Sequence, residues 1–199
     1  MTAEGIFTLA RPHSIMGHKL RHLIDAALSC VDVPGNAAEV GVYKGGSSLA
    51  LCHALPEKIV FSVDTFAGIP EDDACGEQGH KRGDFGDTSI QAVRAMLDTN
   101  LCNNSVLLHG DFRNAMIQTV MAPHRFAFVH LDADIWQSTQ AAVIFFTPRI
   151  TVGGGIFFDD YPNVRCEGVR AAVDDLLRSG MFKGETGNGT IFLRRHNPS

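Results

Sequence analysis

Gly153-Gly-Gly-Ile-Phe-Phe-Asp-Asp160 runs from a glycine triplet through a short apolar stretch into paired carboxylates. Upstream, Phe126-Ala-Phe-Val-His-Leu-Asp-Ala-Asp134 repeats the arrangement. Both apolar runs read as buried strands. A strand covered on both faces belongs to a parallel sheet, and such sheets gather their ligands at the carboxyl ends of the strands. Unpaired buried carboxylates are costly, so Asp132, Asp159 and Asp160, on two neighbouring strand ends, call for a shared partner. Three carboxylates in one place suit a hard divalent cation such as Mg²⁺. Two plainer readings stay open. Asp134 is placed to cap the following helix, and Asp159-Asp-Tyr-Pro-Asn163 has the composition of a turn.

The rest of the chain alternates strand and helix patterns around these two runs. Ile15, Leu20, Leu23, Ile24, Ala27 and Leu28 give helical spacing after Pro12. Strands are predicted at 37–42, 58–63, 106–109, 126–131 and 154–158, with helices from about 46 to 55, 88 to 98, 114 to 121, 137 to 146 and 168 to 177. Segments 181–185 and 190–194, around Gly187-Asn-Gly189, read as a closing hairpin. The pattern implies an α/β fold, a mostly parallel seven-stranded sheet with one antiparallel strand from the C-terminal hairpin and helices on both faces. Residues 1–35 form an N-terminal helical segment. Residues 67–87 are polar and aperiodic, longer than most connections, and read as a lid loop.

Composition excludes several classes. The 199 residues fit one domain, 1–199, with a sizeable core, and the 45% apolar and 20% charged fractions are ordinary. A net charge of −5 without a long basic cluster argues against nucleic acid as partner. Five cysteines, at 30, 52, 75, 102 and 166, show no Cys-x-x-Cys spacing, which argues against a zinc site or a disulfide framework. The first twenty residues lack the apolar core of a signal peptide, and no stretch reaches membrane-spanning length, so the cytoplasm is the simplest compartment and no membrane partner is expected. Ile6, Phe7 and Leu9 are placed to pack on the core or on a second copy in a homodimer.

Glu39-Val-Gly-Val-Tyr-Lys-Gly-Gly-Ser-Ser48 has the order of a first strand, a glycine turn and a helix start. It lacks the Gly-x-Gly-x-x-Gly fingerprint, which disfavours NAD, and it has no Walker lysine. Asp64, at the end of the second strand, stands where ribose hydroxyls are usually bound. Asp111 and Phe112, after the third strand, are a candidate acceptor for an exocyclic amine and a surface for a base. Each of these acidic residues also serves as a plain turn or helix cap on its own. His130, inside a strand, reads as a core residue. His80, Lys81 and Arg82 in the long loop read as solvated, and Cys75 beside them has no activating neighbour.

Taken in order, Glu39-Val-Gly-Val-Tyr-Lys-Gly-Gly-Ser47, Asp64-Thr-Phe-Ala-Gly-Ile-Pro70, Gly83-Asp-Phe85, His130-Leu-Asp-Ala-Asp134 and Phe158-Asp-Asp-Tyr161 resemble the macrocin O-methyltransferase family, over about residues 37–177. The resemblance implies a Rossmann-like class I methyltransferase that uses S-adenosylmethionine and Mg²⁺ to methylate a sugar hydroxyl of a natural product. It implies that Glu39 and Gly41 line the methionine end of the cofactor, that Asp64 holds the ribose, and that Asp111 with Phe112 holds the adenine. Tyr43, Gly45, Ser47, Thr65 and Asp132 complete the cofactor set. Asp132, Asp159 and Asp160 would ligate the metal, with Asp132 doubling as general base. Ile135-Trp-Gln-Ser-Thr139 departs from the family's Leu-Tyr-Glu-Ser-Thr, where Trp136 and Gln137 either reshape the pocket or pack and start a helix. A metal-dependent hydrolase built on the same aspartates, or a non-catalytic cofactor-binding member, would be the alternatives.

Overall fold

The computed structural model describes residues 1–73, 80–161 and 166–197. Seven strands form one sheet: β1 Asn36–Val40, β2 Val60–Asp64, β3 Ser105–His109, β4 Phe126–Leu131, β5 Ile150–Phe158, β6 Phe182–Gly187 and β7 Thr190–Arg195. Their spatial order is β3-β2-β1-β4-β5-β7-β6. β7 runs antiparallel to both of its neighbours, β5 and β6, between which it is wedged. The edges are β3, none of whose residues is fully buried, and β6, exposed at Lys183 and Glu185. Exposed charges on an edge discourage pairing with another chain.

Helices cover both faces. On one lie α1 Ala3–Ala10, α2 Lys19–Leu28, α3 Gly46–Ala54 and α4 Ile90–Thr99. On the other lie α5 Ala115–Met121, α6 Trp136–Phe146 and α7 Glu167–Arg178. The aromatic core is divided between these faces, and a register shift in β4 between Phe126 and Phe128 sends those two to opposite sides. Phe128, Phe157 and Phe192 point to the first, and Phe126, Phe146 and Phe158 to the second, all of them essentially solvent-free. Each such side chain contributes about 1.5–3 kcal/mol through removal from water. Among the described residues, no helix is long and apolar enough to cross a membrane.

The N-terminal segment departs from the single helix read from the sequence. Thr2 accepts a hydrogen bond from the Gly5 N–H and starts α1, which buries Ile6 and Phe7 in the core, so those residues are committed to this chain's own interior. A short 3₁₀ turn at Arg11–His13 and an irregular stretch then precede α2, and Ile15 stays outside any helix and is 67% exposed. The first strand also ends two residues earlier than the apolar pattern implies, at Val40.

The reason is Gly41. Its φ is +92°, and a Cβ there would overlap the backbone carbonyl of Asp132. Here β1 and β4 part, and the chain leaves β1 to one side of the sheet and β4 to the other. This crevice is the topological switch point of an open α/β sheet. Gly155, in β5, is held similarly: a Cβ would strike the Leu193 carbonyl of β7. The Gly41→Ala variant is expected to lose roughly 3 kcal/mol or more of stability in urea unfolding, since neither backbone can give way.

Candidate active site

The parallel ladder continues one residue beyond the strands. The Gly41 N–H donates to the Val63 carbonyl (3.0 Å), Asp132 N–H to Val40 (2.9 Å), Asp159 N–H to Leu131 (3.1 Å) and Gly110 N–H to Asp64 (2.8 Å). These bonds bring the strand-end residues level with one another around a cavity of about 310 Å³. Gly41, Tyr43, Ser47, Asp64, Thr65, Asp111, Phe112, Asp132, Asp159 and Asp160 all face it. The far wall is the irregular stretch His13–Met16 together with Lys19, and the roof includes Ile69, Pro70, His80 and Phe85 from the long loop. Cys75 of that loop lies outside the described residues.

Two expected cofactor residues stand elsewhere. Glu39 is completely buried one layer beneath the cavity, where its carboxylate accepts hydrogen bonds from Ser48 Oγ and from His130 Nδ1 (2.9 Å). Period-two alternation explains this, since Glu39 points to the α3 face of β1, whose Ser48 needs an acceptor. Gly45 turns away from the cavity toward Val93 and Met96 of α4. His130 is thus a core residue, as expected, but only half satisfied: its Nε2 has no hydrogen-bond partner among the described residues.

Asp64 organises the glycine turn. Its Oδ2 accepts from the Val42 and Tyr43 N–H groups (2.7 and 2.8 Å), and its Oδ1 accepts from Phe66 N–H (2.7 Å). The Val42 and Tyr43 amides of the turn are therefore engaged by this carboxylate rather than left open. Asp111 is likewise occupied. Arg113 grips both its oxygens and reaches across to Glu71 of the long loop. Burial works to raise the Asp111 carboxyl, but the Arg113 side chain and N–H outweigh it and hold it below the ordinary range. Phe112 stacks on Phe146 at a centroid distance of 5.3 Å and closes the cavity floor.

At the other end four carboxylates meet. Oxygens of Asp132, Asp134 and Asp160 lie within 4.8 Å of one another. This trio differs from the expected one: Asp134 joins it and Asp159 stands beside it. Asp134 does not cap α6. It sits in the left-handed region (φ +56°), and Asp73 of the long loop accepts the Trp136 N–H instead. Trp136 packs against Gly168 at the start of α7, and neither Trp136 nor Gln137 faces the cavity. The signal for Asp134 was the Asp-x-Asp spacing itself, since one left-handed residue turns the second aspartate back toward the first. Asp159 Oδ2 and Asp160 Oδ1 accept from Lys19 Nζ (3.2 and 2.7 Å), while Asp159 Oδ1 is buried with no hydrogen-bond partner among the described residues. Lys19, from the N-terminal helix, was not foreseen.

The electrostatics follow. Burial, then the neighbouring carboxylates Asp159, Asp134 and Asp160, push the Asp132 carboxyl well above its usual value. The same causes raise Asp134 to about 8 and lift Asp159. Burial disfavours the Lys19 ammonium, but Asp159 and Asp160 overcome this and raise its pKa. His80, read as solvated, instead sits in the wall with Nε2 3.5 Å from Asp134 Oδ1. A second trio, His80, Asp134 and Cys166, also clusters, but its thiol and imidazole suit softer metals.

A sequence profile of the family described as Macrocin-O-methyltransferase (TylF) matches residues 10–183. The chain belongs to the macrocin O-methyltransferase family. It is 28% identical over 188 residues to demethyldecarbamoylnovobiocin O-methyltransferase of Streptomyces niveus, covering 86% of this chain and 70% of that one. It is 29% identical over 180 residues to 8-demethyl-8-(2,3-dimethoxy-alpha-L-rhamnosyl)-tetracenomycin-C 4'-O-methyltransferase of Streptomyces olivaceus, covering 82% and 67%. The solved calicheamicin methyltransferase CalS11 superposes with a TM-score of 0.76 at 22% identity, over 88% of this chain and 78% of that one, and shares the fold. The protein is a methyltransferase enzyme, and the sheet with its antiparallel β7 is that of class I methyltransferases.

The raised carboxyls give a signed pH dependence. A group whose folded pKa exceeds its unfolded value binds extra protons in the folded state, so its contribution to stability falls as pH rises between the two values. For Asp134 that window runs from 3.8 to about 8. Melting temperature in metal-free buffer is expected to drop as pH rises through this window, and Asp134→Asn is expected to flatten the profile.

Proposed function

We propose that this methyltransferase takes its methyl group from S-adenosylmethionine and, with Mg²⁺, transfers it to a hydroxyl of a small molecule, the sugar moiety of a natural product. One observation carries the reading: the turn organised by Asp64 and the all-carboxylate trio open into a single cavity. A donor bound across Gly41 and Asp64 would place its reactive end toward Asp132, at the switch point where this sheet class binds ligands. The relatives' names, one of which specifies a rhamnosyl group and a 4'-O position, support a sugar hydroxyl as acceptor.

The site fits a hard divalent cation on two counts. Its ligand set is all oxygen, and Asp159 Oδ1 is a buried acceptor without a donor. Asp132, Asp134 and Asp160 would hold the ion, with Asp159 adjacent. Such an ion supplies Lewis-acid polarisation of the acceptor hydroxyl.

The chain's own residues do the remaining work. Methyl transfer from a sulfonium is an in-line displacement that needs alignment and a deprotonated oxygen. Asp132, which faces the cavity at the end of β4, would accept the hydroxyl proton as general base. The cluster's negative potential also favours a cationic donor. Loop residues 67–73 and 80–87 act as the lid. They close the cavity through paired backbone bonds between Ile69 and Gly83–Asp84 and through Tyr43 Oη and Lys44 Nζ on Asp87. A small acceptor fits this enclosure, and the reading includes no nucleic acid and no membrane partner, with the cytoplasm as compartment.

Calorimetric titration of S-adenosylmethionine and S-adenosylhomocysteine, followed by a methylation assay on glycosides bearing adjacent hydroxyls, tests the proposal. Micromolar cofactor binding and turnover lost on chelation are expected. Asp132→Asn should lower the rate about 10²–10⁴-fold, as loss of a general base does, and Asp160→Asn should remove the Mg²⁺ dependence, both with cofactor binding retained. Full activity in chelator would discard the metal, and no binding of either cofactor form by folded protein would discard the reading.

A further inference from the structure

Lys19 is the one lysine or arginine in contact with the carboxylate cluster among the described residues, and it reaches there from the far end of the chain, while the His80 ring lies beside Asp134. Lys19 is the first residue of α2. The next helix positions, Leu20, Leu23 and Ile24, are essentially solvent-free in the core, which fixes the helix backbone. The side chain alone is free to move. Its ammonium donates to Asp160 Oδ1, and Asp160 is also a member of the oxygen trio with Asp132 and Asp134. One carboxylate thus serves both the lysine and the candidate metal position.

We propose that the Lys19 ammonium is the resident counter-ion of the metal-free site, and that a divalent cation loads only by displacing it into the cavity that it already lines. The proposal rests on the metal reading given above. Its physical basis is charge. Four aspartates crowd this pocket, and burial makes their mutual repulsion expensive. Among the described residues, Lys19 bridges Asp159 and Asp160, and the His80 ring stands 3.5 Å from Asp134. A monovalent ammonium satisfies two of the four carboxylates and leaves Asp159 Oδ1 unpartnered. A dication has twice the charge and can engage several oxygens at once. Placed beside an undisplaced ammonium, it would meet direct repulsion at close range, and one charge must move. Lys19 has room to do so, because it already forms part of the cavity wall. Metal affinity is then set by a competitor encoded in the chain, and loading moves a positive charge toward the space where the acceptor enters.

The test is calorimetric titration of Mg²⁺, without cofactor, into wild type, Lys19→Met and Lys19→Arg. In parallel, acylation of Lys19 is followed by mass spectrometry with and without saturating Mg²⁺. The proposal expects Lys19→Met to bind Mg²⁺ on the order of tenfold tighter or more, given the size of a single close charge in a protein environment. Lys19→Arg should stay near wild type, and Mg²⁺ should speed acylation of Lys19 in the wild-type protein. Equal or weaker binding by Lys19→Met overturns the proposal, because a lysine that props the ligands in place would weaken binding when removed. If Lys19→Met does not fold, the wild-type acylation decides alone, and an unchanged rate with Mg²⁺ bound counts against displacement. No Mg²⁺ binding by any of the folded proteins overturns the metal reading itself. Binding with an unmoved Lys19 overturns only the displacement.

Discussion

The site depends on a run of four backbone hydrogen bonds that carry the parallel ladder one step past the strands. Gly41 to Val63, Asp132 to Val40, Asp159 to Leu131 and Gly110 to Asp64 place residues from five strand ends at one level. Each bond satisfies a group that would be costly to bury alone. Together they leave the carboxylates little choice of position. The contact between Gly41 and the Asp132 carbonyl holds β1 and β4 close at the point where their connections diverge, and the cavity opens above that contact.

Packing therefore enforces an electrostatic conflict. Aspartates left to themselves would spread apart or stay in water, but here strand geometry holds them together and burial strengthens their repulsion. The fold relieves this in two different ways at the two ends of the cavity. At the Asp64 end, backbone amides and Arg113 saturate the carboxylates, and the structure there is self-contained. At the Asp132 end, saturation is incomplete, with raised carboxyls, one lysine and one orphaned oxygen.

What could be read in the sequence was local. An apolar run ending in an acid identifies both a strand and its carboxyl end, so the positions of Asp64, Asp111, Asp132, Asp159 and Asp160 followed directly. Direction was harder to read. Glu39 shares a motif with Gly41, yet strand alternation sends it into the core toward Ser48 and His130. Asp134 depended on one left-handed backbone position that its residue type permits but does not announce. Lys19 lies 140 residues from Asp159, and no pattern within α2 separates it from an ordinary surface lysine. The first helix was missed because eight residues carry little periodicity, and its Thr2 cap was the stronger clue.

The tight backbone contacts at Gly41 and Gly155 have a consequence for how such an enzyme can diversify. They lock the strands that carry the reactive groups against each other, where even one added carbon meets a carbonyl. By contrast, the stretch at 13–16 and the loop residues around His80 and Phe85 touch the cavity without belonging to any strand or α-helix. Inheritance of the chemistry and drift in the acceptor are thereby assigned to different parts of the chain. New specificities can arise by exchange of peripheral segments while the strand ends stay as they are, which makes the scaffold evolvable at its rim and conservative at its centre.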